Sequence, residues 1–227
     1  MKPTKFKFQI GNLKWVTAKT DHQKQVFDFW DTKYNLILSG SAGTGKTFLA
    51  LYLGLREVLD KRTPYDKVII VRSIVPTRDI GFLPGDEEEK KDAYARPYMS
   101  LCEELLEDRD AWIHLVQHNK VQFISTSFIR GMTLSNAIVI VDEMQNLNFH
   151  ELDSVITRVG EDCRFIMCGD YYQTDFKYED DKSGILDFLD ILKKMRMFKI
   201  IEFTWNDIVR SDFVKEYIMT KEQHRRS

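Results

Sequence analysis

Six apolar runs recur along the chain: NLILSG at 35–40, KVIIVRS at 67–73, KVQFIST at 120–126, NAIVIVDE at 136–143, CRFIMCGD at 163–170 and FKIIEFT at 198–204. Each is rich in Ile and Val and nearly continuous rather than alternating, which is how a strand covered on both faces reads. The stretches between them carry helical periodicity. Strands separated by helices predict an α/β fold, a mainly parallel sheet with helices on both faces. A further helix is expected from about Asp21 to Trp30. Ahead of it, Phe6, Phe8 and Ile10 alternate with Lys5, Lys7 and Gln9, the period of a short half-buried strand closed by a turn at Gly11-Asn12. The stretch from Pro76 to Trp112 departs longest from the alternation. It predicts a loop containing GFLPGDEEEKK and then a helix from near Asp86, whose acidic run suits a solvated helix start. No internal repeat or low-complexity linker appears. A single domain over 1–227 is therefore expected, with the N-terminal strand and turn at about 5–12 and a flexible tail at about 221–227.

Composition narrows this further. With 227 residues, 43% of them hydrophobic, the chain can bury one substantial core. Its 33 basic and 35 acidic residues leave a net charge of -2, so no field of one sign advertises a nucleic-acid or membrane partner, and any basic site must be local. Cys102, Cys163 and Cys168 leave one thiol unpaired in any disulfide scheme and lack the spacings of a zinc site, which fits a reduced, cytoplasmic protein. The N-terminal MKPTKFKFQIGNLKW has no apolar run long enough for a signal peptide, and the apolar runs elsewhere are strand-sized.

Chemistry enters at Gly40. The segment GSAGTGKT, Gly40, Ser41, Ala42, Gly43, Thr44, Gly45, Lys46 and Thr47, matches G-x-x-x-x-G-K-[ST] between an apolar strand and an apolar-periodic helix. Its glycines let successive backbone N–H groups and the helix N-terminus point at phosphates. Lys46 then bridges the outer phosphates, and Thr47 offers a hydroxyl to Mg²⁺. The strand ending in IVIVDEMQN puts Asp142 beside that metal and Glu143 where an attacking water must sit. Switch-type GTPases carry N-K-x-D for guanine; the nearest stretch here, NKVQ at 119–122, has Gln122 in place of the aspartate. ATP with Mg²⁺ is thus the expected cofactor pair. In MCGDYYQTD, again at the carboxyl end of a strand, Gln173 is placed to touch the γ-phosphate or the attacking water; a turn packed by two tyrosines is the competing reading.

Together GSAGTGKT, VDEMQN and GDYYQTD, with RGMTLSNA at 130–137 and GFLPGD at 81–86, resemble the PhoH family, especially the short PhoH-like proteins of tailed phages, over about residues 12–220. The first three motifs are shared with superfamily 1 helicases; the last two point to PhoH itself. The resemblance implies a single RecA-like ATPase core, ATP hydrolysis, a link to RNA unwinding or processing, and a host-cell cytoplasmic setting. It implies that the strand ending at Asp170 lies between the phosphate-loop strand and the strand ending at Asp142. It makes TDHQ at 20–23 similar to the helicase glutamine motif, with Gln23 reading adenine and Gln25 a rival. It also makes WNDIVR the D-x-x-R segment that closes the core, with Arg210 as an arginine finger acting on a neighbouring subunit in a ring, a hexamer being favoured; Arg72 and Arg130 are rivals.

Two functional classes follow. One is a motor or remodeller stimulated by single-stranded RNA or DNA. Only about 180 residues follow the phosphate loop, one core, so movement along a strand would require an oligomer. Lys193, Lys194, Arg196, Lys199 with Phe198, and the tail KEQHRRS, are the local basic surfaces, equally readable as ordinary solvated faces. The other is an ATP-dependent switch acting on a protein partner. A P-loop kinase would need an acceptor pocket, and the Asp-Glu pair argues for water as acceptor instead.

Overall fold

The computed structural model describes residues 5–73, 87–129, 131–170 and 179–226. Its strands are β1 (Asn35–Gly40), β2 (Lys67–Arg72), β3 (Val121–Ser125), β4 (Ala137–Val141), β5 (Cys163–Gly169) and β6 (Phe198–Phe203). Its helices are α1 (Asp21–Asp31), α2 (Lys46–Leu59), α3 (Glu87–Leu106), α4 (Ala111–Gln117), α5 (Phe149–Ile156), α6 (Glu179–Lys194) and α7 (Asp212–Arg226). The strands form one sheet in the order β3-β2-β4-β5-β1-β6, and each neighbouring pair is parallel. All six runs expected to be strands are strands, and β5 lies between β1 and β4 as the resemblance implies.

The continuity of those runs has a direct cause. Successive side chains of a strand point to opposite faces, so a strand with a core on each side needs apolar residues at both parities. Leu36, Leu38, Val68, Ile70, Ile138, Ile140, Ile166 and Cys168 join the core beneath α1, α2, α3 and α4. The residues of opposite parity, Ile37, Ile69, Val71, Val139, Val141, Phe165 and Met167, join the core beneath α5 and α6. Two cores thus share one sheet, and the strands' carboxyl ends all open on the same edge.

The N-terminal end of the chain differs from expectation. Residues 5–9 form no strand; the chain there is extended and ends in a 3-10 turn at Ile10–Asn12. The period-two pattern reports packing without a ladder at two of its three apolar positions: Phe8 is buried, Phe6 stacks on His114 at 5.5 Å, Ile10 is exposed, and the Lys7 N–H donates to His114 Nε2 at 3.1 Å instead of to a neighbouring strand. At the other end α7 runs to Arg226 and buries Glu222, which accepts hydrogen bonds from Ser41 Oγ at 3.0 Å and Trp205 Nε1 at 2.6 Å. The helix expected from near Asp86 is α3, beginning at Glu87; GFLPGD and Asp86 lie outside the described residues.

Candidate active site

Strand β1 ends at Gly40, and the chain turns through the glycine-rich loop into α2. Gly45, at φ 86°, occupies the N-cap of α2, a backbone shape that favours glycine, and carries no side chain to cap the helix. The first N–H groups of a 14-residue helix therefore face the loop with no capping group from that position, where an anion is favoured. Lys46 Nζ folds back and donates to the carbonyl oxygens of Gly40 at 2.6 Å and Ser41 at 2.7 Å. Burial pushes the Lys46 ammonium below its ordinary pKa, while the carboxylates of Asp170, Glu143 and Asp142 pull it back.

Asp142 follows the last residue of β4, and its N–H donates to the Val71 carbonyl, which fixes where the strand stops. The side chain is only 4% exposed. Asp142 Oδ1 accepts from Thr47 Oγ1 at 3.0 Å and Oδ2 accepts from the Tyr98 hydroxyl at 2.7 Å. Burial and then the adjacent Glu143 raise its pKa, against the opposing pull of Tyr98, Arg72 and Thr47. Glu143 sits in the left-handed region, φ 52° and ψ 45°, a conformation that costs a non-glycine residue about 1 kcal/mol and so marks a constrained site. Gln145 holds it there: its amide N–H donates to Glu143 Oε2, and its Oε1 accepts from the Asp170 N–H at 3.0 Å. Only a glycine at 169 admits this bridge, since a Cβ there would lie 2.4 Å from Gln145 Oε1.

These groups line one cavity of about 480 Å³ at the carboxyl edge of the sheet. Gly40, Ala42, Gly43, Gly45, Lys46, Thr47, Asp142 and Glu143 border it, and Arg72, Arg210 and Lys221 join Lys46 as cations on its wall. Ser41 and Thr44 instead face inward: Ser41 Oγ donates to Glu222, and Thr44 Oγ1 donates to the Ser41 carbonyl at 3.0 Å. Among the described residues no cluster of three or more His, Cys, Asp or Glu is placed to hold a metal alone. Thr47 and Asp142 are nonetheless two hard oxygen donors side by side, a set that suits Mg²⁺ when phosphate oxygens and waters complete the shell.

An adjoining cavity of about 250 Å³ is walled by Val16, Phe48, Leu101 and Val209 with Gln23 at its edge. Gln23 is buried, its Oε1 accepting from the Lys19 N–H at 2.9 Å and its Nε2 donating to the Thr44 carbonyl at 3.0 Å. One N–H and one lone pair of that amide stay uncommitted by these two bonds. Gln25 is exposed on α1. Arg210 is brought to the cavities of its own chain: its Cγ stands 3.1 Å from where a Gly43 Cβ would be, and the Val209 N–H donates to the Gly43 carbonyl at 3.1 Å. Gln173 and Arg130 lie outside the described residues. Of the basic surface, Lys199 is engaged over the rings of Tyr34 and Phe29, and Lys193 reaches Asp190 at 3.5 Å.

Three residues stand at the site without a role there in the sequence reading, which placed Lys221 only in a basic tail. Tyr98 and Lys221 come from helices far along the chain, and helical periodicity marks a face without naming what it meets. Gln145 had a signal, an amide two positions beyond the acid pair.

The chain is 34% identical over 210 residues to a PhoH-like protein of Synechocystis sp., covering 92% of this chain and 62% of that protein. It is 31% identical over 198 residues to Protein PhoH of Escherichia coli, covering 86% of this chain and 55% of the other. It thus spans about three fifths of the length of such relatives. Among solved structures, the large terminase of a thermophilic bacteriophage shares its fold, with a TM-score of 0.54 at 14% identity over 88% of this chain and 50% of that one. This places the chain on the RecA-like P-loop architecture. The PhoH-like protein family model matches residues 15–221, and the chain belongs to that family.

Proposed function

We propose that this chain binds ATP with Mg²⁺ and hydrolyses it, and that several copies couple the hydrolysis to single-stranded RNA or DNA. One observation carries the ATPase reading: Lys46, Thr47, Asp142 and Glu143, from separate segments, converge on one cavity with Thr47 and Asp142 in contact at 3.0 Å. In this mechanism Lys46 leaves the loop carbonyls for the outer phosphate oxygens, and Thr47 and Asp142 hold Mg²⁺. When bound, that cation supplies Lewis-acid neutralisation of phosphate oxygens. Glu143, fixed by Gln145, takes a proton from the water that attacks the γ-phosphorus while the bond to the departing ADP oxygen breaks. The apolar cavity beside Phe48 and Leu101 receives the base, with Gln23 at its edge.

Coupling to nucleic acid rests on the three motifs shared with superfamily 1 helicases. In this reading several copies, a ring being favoured, act together on the strand. The second reading is a switch acting on a protein partner, favoured by the near-balanced charge and the absence of an extended basic field in the sequence. ATP turnover with and without Mg²⁺, against a panel of single-stranded RNAs and DNAs at two salt concentrations, tests both. Salt-sensitive stimulation by a strand supports the proposal, Mg²⁺-dependent turnover indifferent to every strand selects the switch, and no turnover removes both.

A further inference from the structure

The carboxylate that meets Thr47 is held from behind. Asp142 Oδ2 accepts from the Tyr98 hydroxyl at 2.7 Å, leaving Oδ1 toward Thr47 at 3.0 Å. Tyr98 is 1% exposed and is itself fixed on three sides. Its ring packs against Phe123 of β3 at 5.7 Å. The periodic face of α3, Tyr94, Tyr98, Cys102 and Leu105, is buried against the core. The Arg72 guanidinium, whose charge bears on the phenol, lies over the Tyr94 ring at 5.6 Å. A phenol so constrained has one orientation for its O–H, and that orientation ends on Asp142.

We propose that Tyr98 is a positioning residue for the metal-holding carboxylate, tying down Asp142 Oδ2 so that Oδ1 alone is presented, beside Thr47, to the cation. This rests on the Mg²⁺-nucleotide reading of the site. Groups that hydrogen-bond a metal-binding side chain from outside set its orientation, and their loss costs about 10–100-fold in metal affinity. Leu101, one turn beyond Tyr98 on the same helix, borders both the phosphate cavity and the base cavity, so α3 spans the whole site. Without the phenol O–H, the buried carboxylate loses its fixed direction and one oxygen loses its donor.

The test reads metal binding rather than turnover. Mg²⁺ is titrated into the protein saturated with a fluorescent non-hydrolysable ATP analogue, and analogue affinity is measured separately in EDTA. Tyr98→Phe, which keeps the ring against Phe123, is expected to raise the Mg²⁺ midpoint about 10–100-fold while leaving analogue affinity in EDTA unchanged. An unchanged midpoint overturns the proposal, as does a loss of analogue affinity in EDTA equal to the loss with Mg²⁺, which a merely structural role would produce. The substitution is repeated in an Asp142→Asn background, where no buried charge is stranded and folding is protected. There Tyr98→Phe is expected to add nothing; a further shift of the same size shows that Tyr98 does not act through Asp142. If the unaltered protein fails to bind the analogue, or binds it with no dependence on Mg²⁺, the parent reading fails, an outcome distinct from a Tyr98 substitution without effect.

Discussion

Lys46 Nζ donates to the Gly40 carbonyl across 2.6 Å, so the ammonium of the phosphate loop is committed to the loop's own backbone. The same geometry folds the loop around the lysine and keeps a buried cation partnered. In the proposed mechanism nucleotide binding exchanges backbone carbonyls for phosphate oxygens, charge-assisted contacts that are stronger.

Lys46→Ala is accordingly expected to weaken ATP binding by at least about 2 kcal/mol, roughly 30-fold, and to abolish turnover. Without nucleotide the variant should melt nearly as the unaltered protein does, because the freed carbonyls border a cavity open to water. Calorimetric titration and a melting curve check the two halves; turnover retained in this variant would show that the site lies elsewhere.

Glu143→Gln should separate binding from chemistry. The amide keeps the length of the side chain and can still accept from Gln145, so the left-handed backbone at 143 and the bridge to Asp170 are preserved. An amide cannot take the proton, and kcat is expected to fall about 10²–10⁴-fold with ATP affinity retained. Gln145→Ala, which releases Glu143 without removing it, should give a smaller loss of kcat. A loss of ATP affinity in Glu143→Gln as large as in Lys46→Ala would mean that Glu143 acts in binding rather than as the base.

Acid stability has a marked residue in Asp207. Burial alone would raise its pKa, but hydrogen bonds from Thr20, the Thr204 backbone and His22 outweigh it and hold the carboxyl below its ordinary 3.8. The Thr204 N–H and His22 Nδ1 lie 2.8 and 2.7 Å from Asp207 Oδ2. A folded-state pKa below the unfolded one contributes stability that is present above the unfolded value and lost as pH falls through the folded value. Asp207→Asn should therefore melt below the unaltered protein at pH 7, with the gap closing below about pH 4. A gap that widens on acidification would contradict the assignment.

The sheet was legible because a strand buried on both faces needs an unbroken apolar run, and runs such as NLILSG and AIVIV have no other simple reading. The phosphate loop was legible because its glycines, lysine and threonine must be contiguous to wrap one anion. What stayed hidden has a common physical form. Tyr98 meets Asp142 across 44 positions and Glu222 meets Ser41 across 181, contacts set by how helices lie on the sheet. Phe6 and Phe8 show the converse: alternation recorded which side chains pack inward, whereas the backbone donors found a histidine on α4 instead of a strand.

Arg210 tests whether the site is complete within one chain. The family resemblance leads one to expect a finger reaching into a neighbour's site. In the structure the arginine stem lies on Gly43 of its own loop, anchored by the bond from Val209 to the Gly43 carbonyl, and the residue borders its own chain's cavity. The turn before it is pinned to α1 through His22 and Asp207, which limits how far the segment could swing. That placement favours action in cis. Arg210→Ala should bind ATP yet hydrolyse it slowly, by about three orders of magnitude, since a planar guanidinium matches charge spread over the phosphoryl oxygens. Mixing Arg210→Ala with Glu143→Gln then separates the arrangements. For an arginine acting in cis every chain in the mixture remains defective, and the rate should equal the weighted mean of the two variants. Activity regained on mixing would require an intact Glu143 to be served by a neighbour's Arg210, and would transfer the finger to the subunit interface.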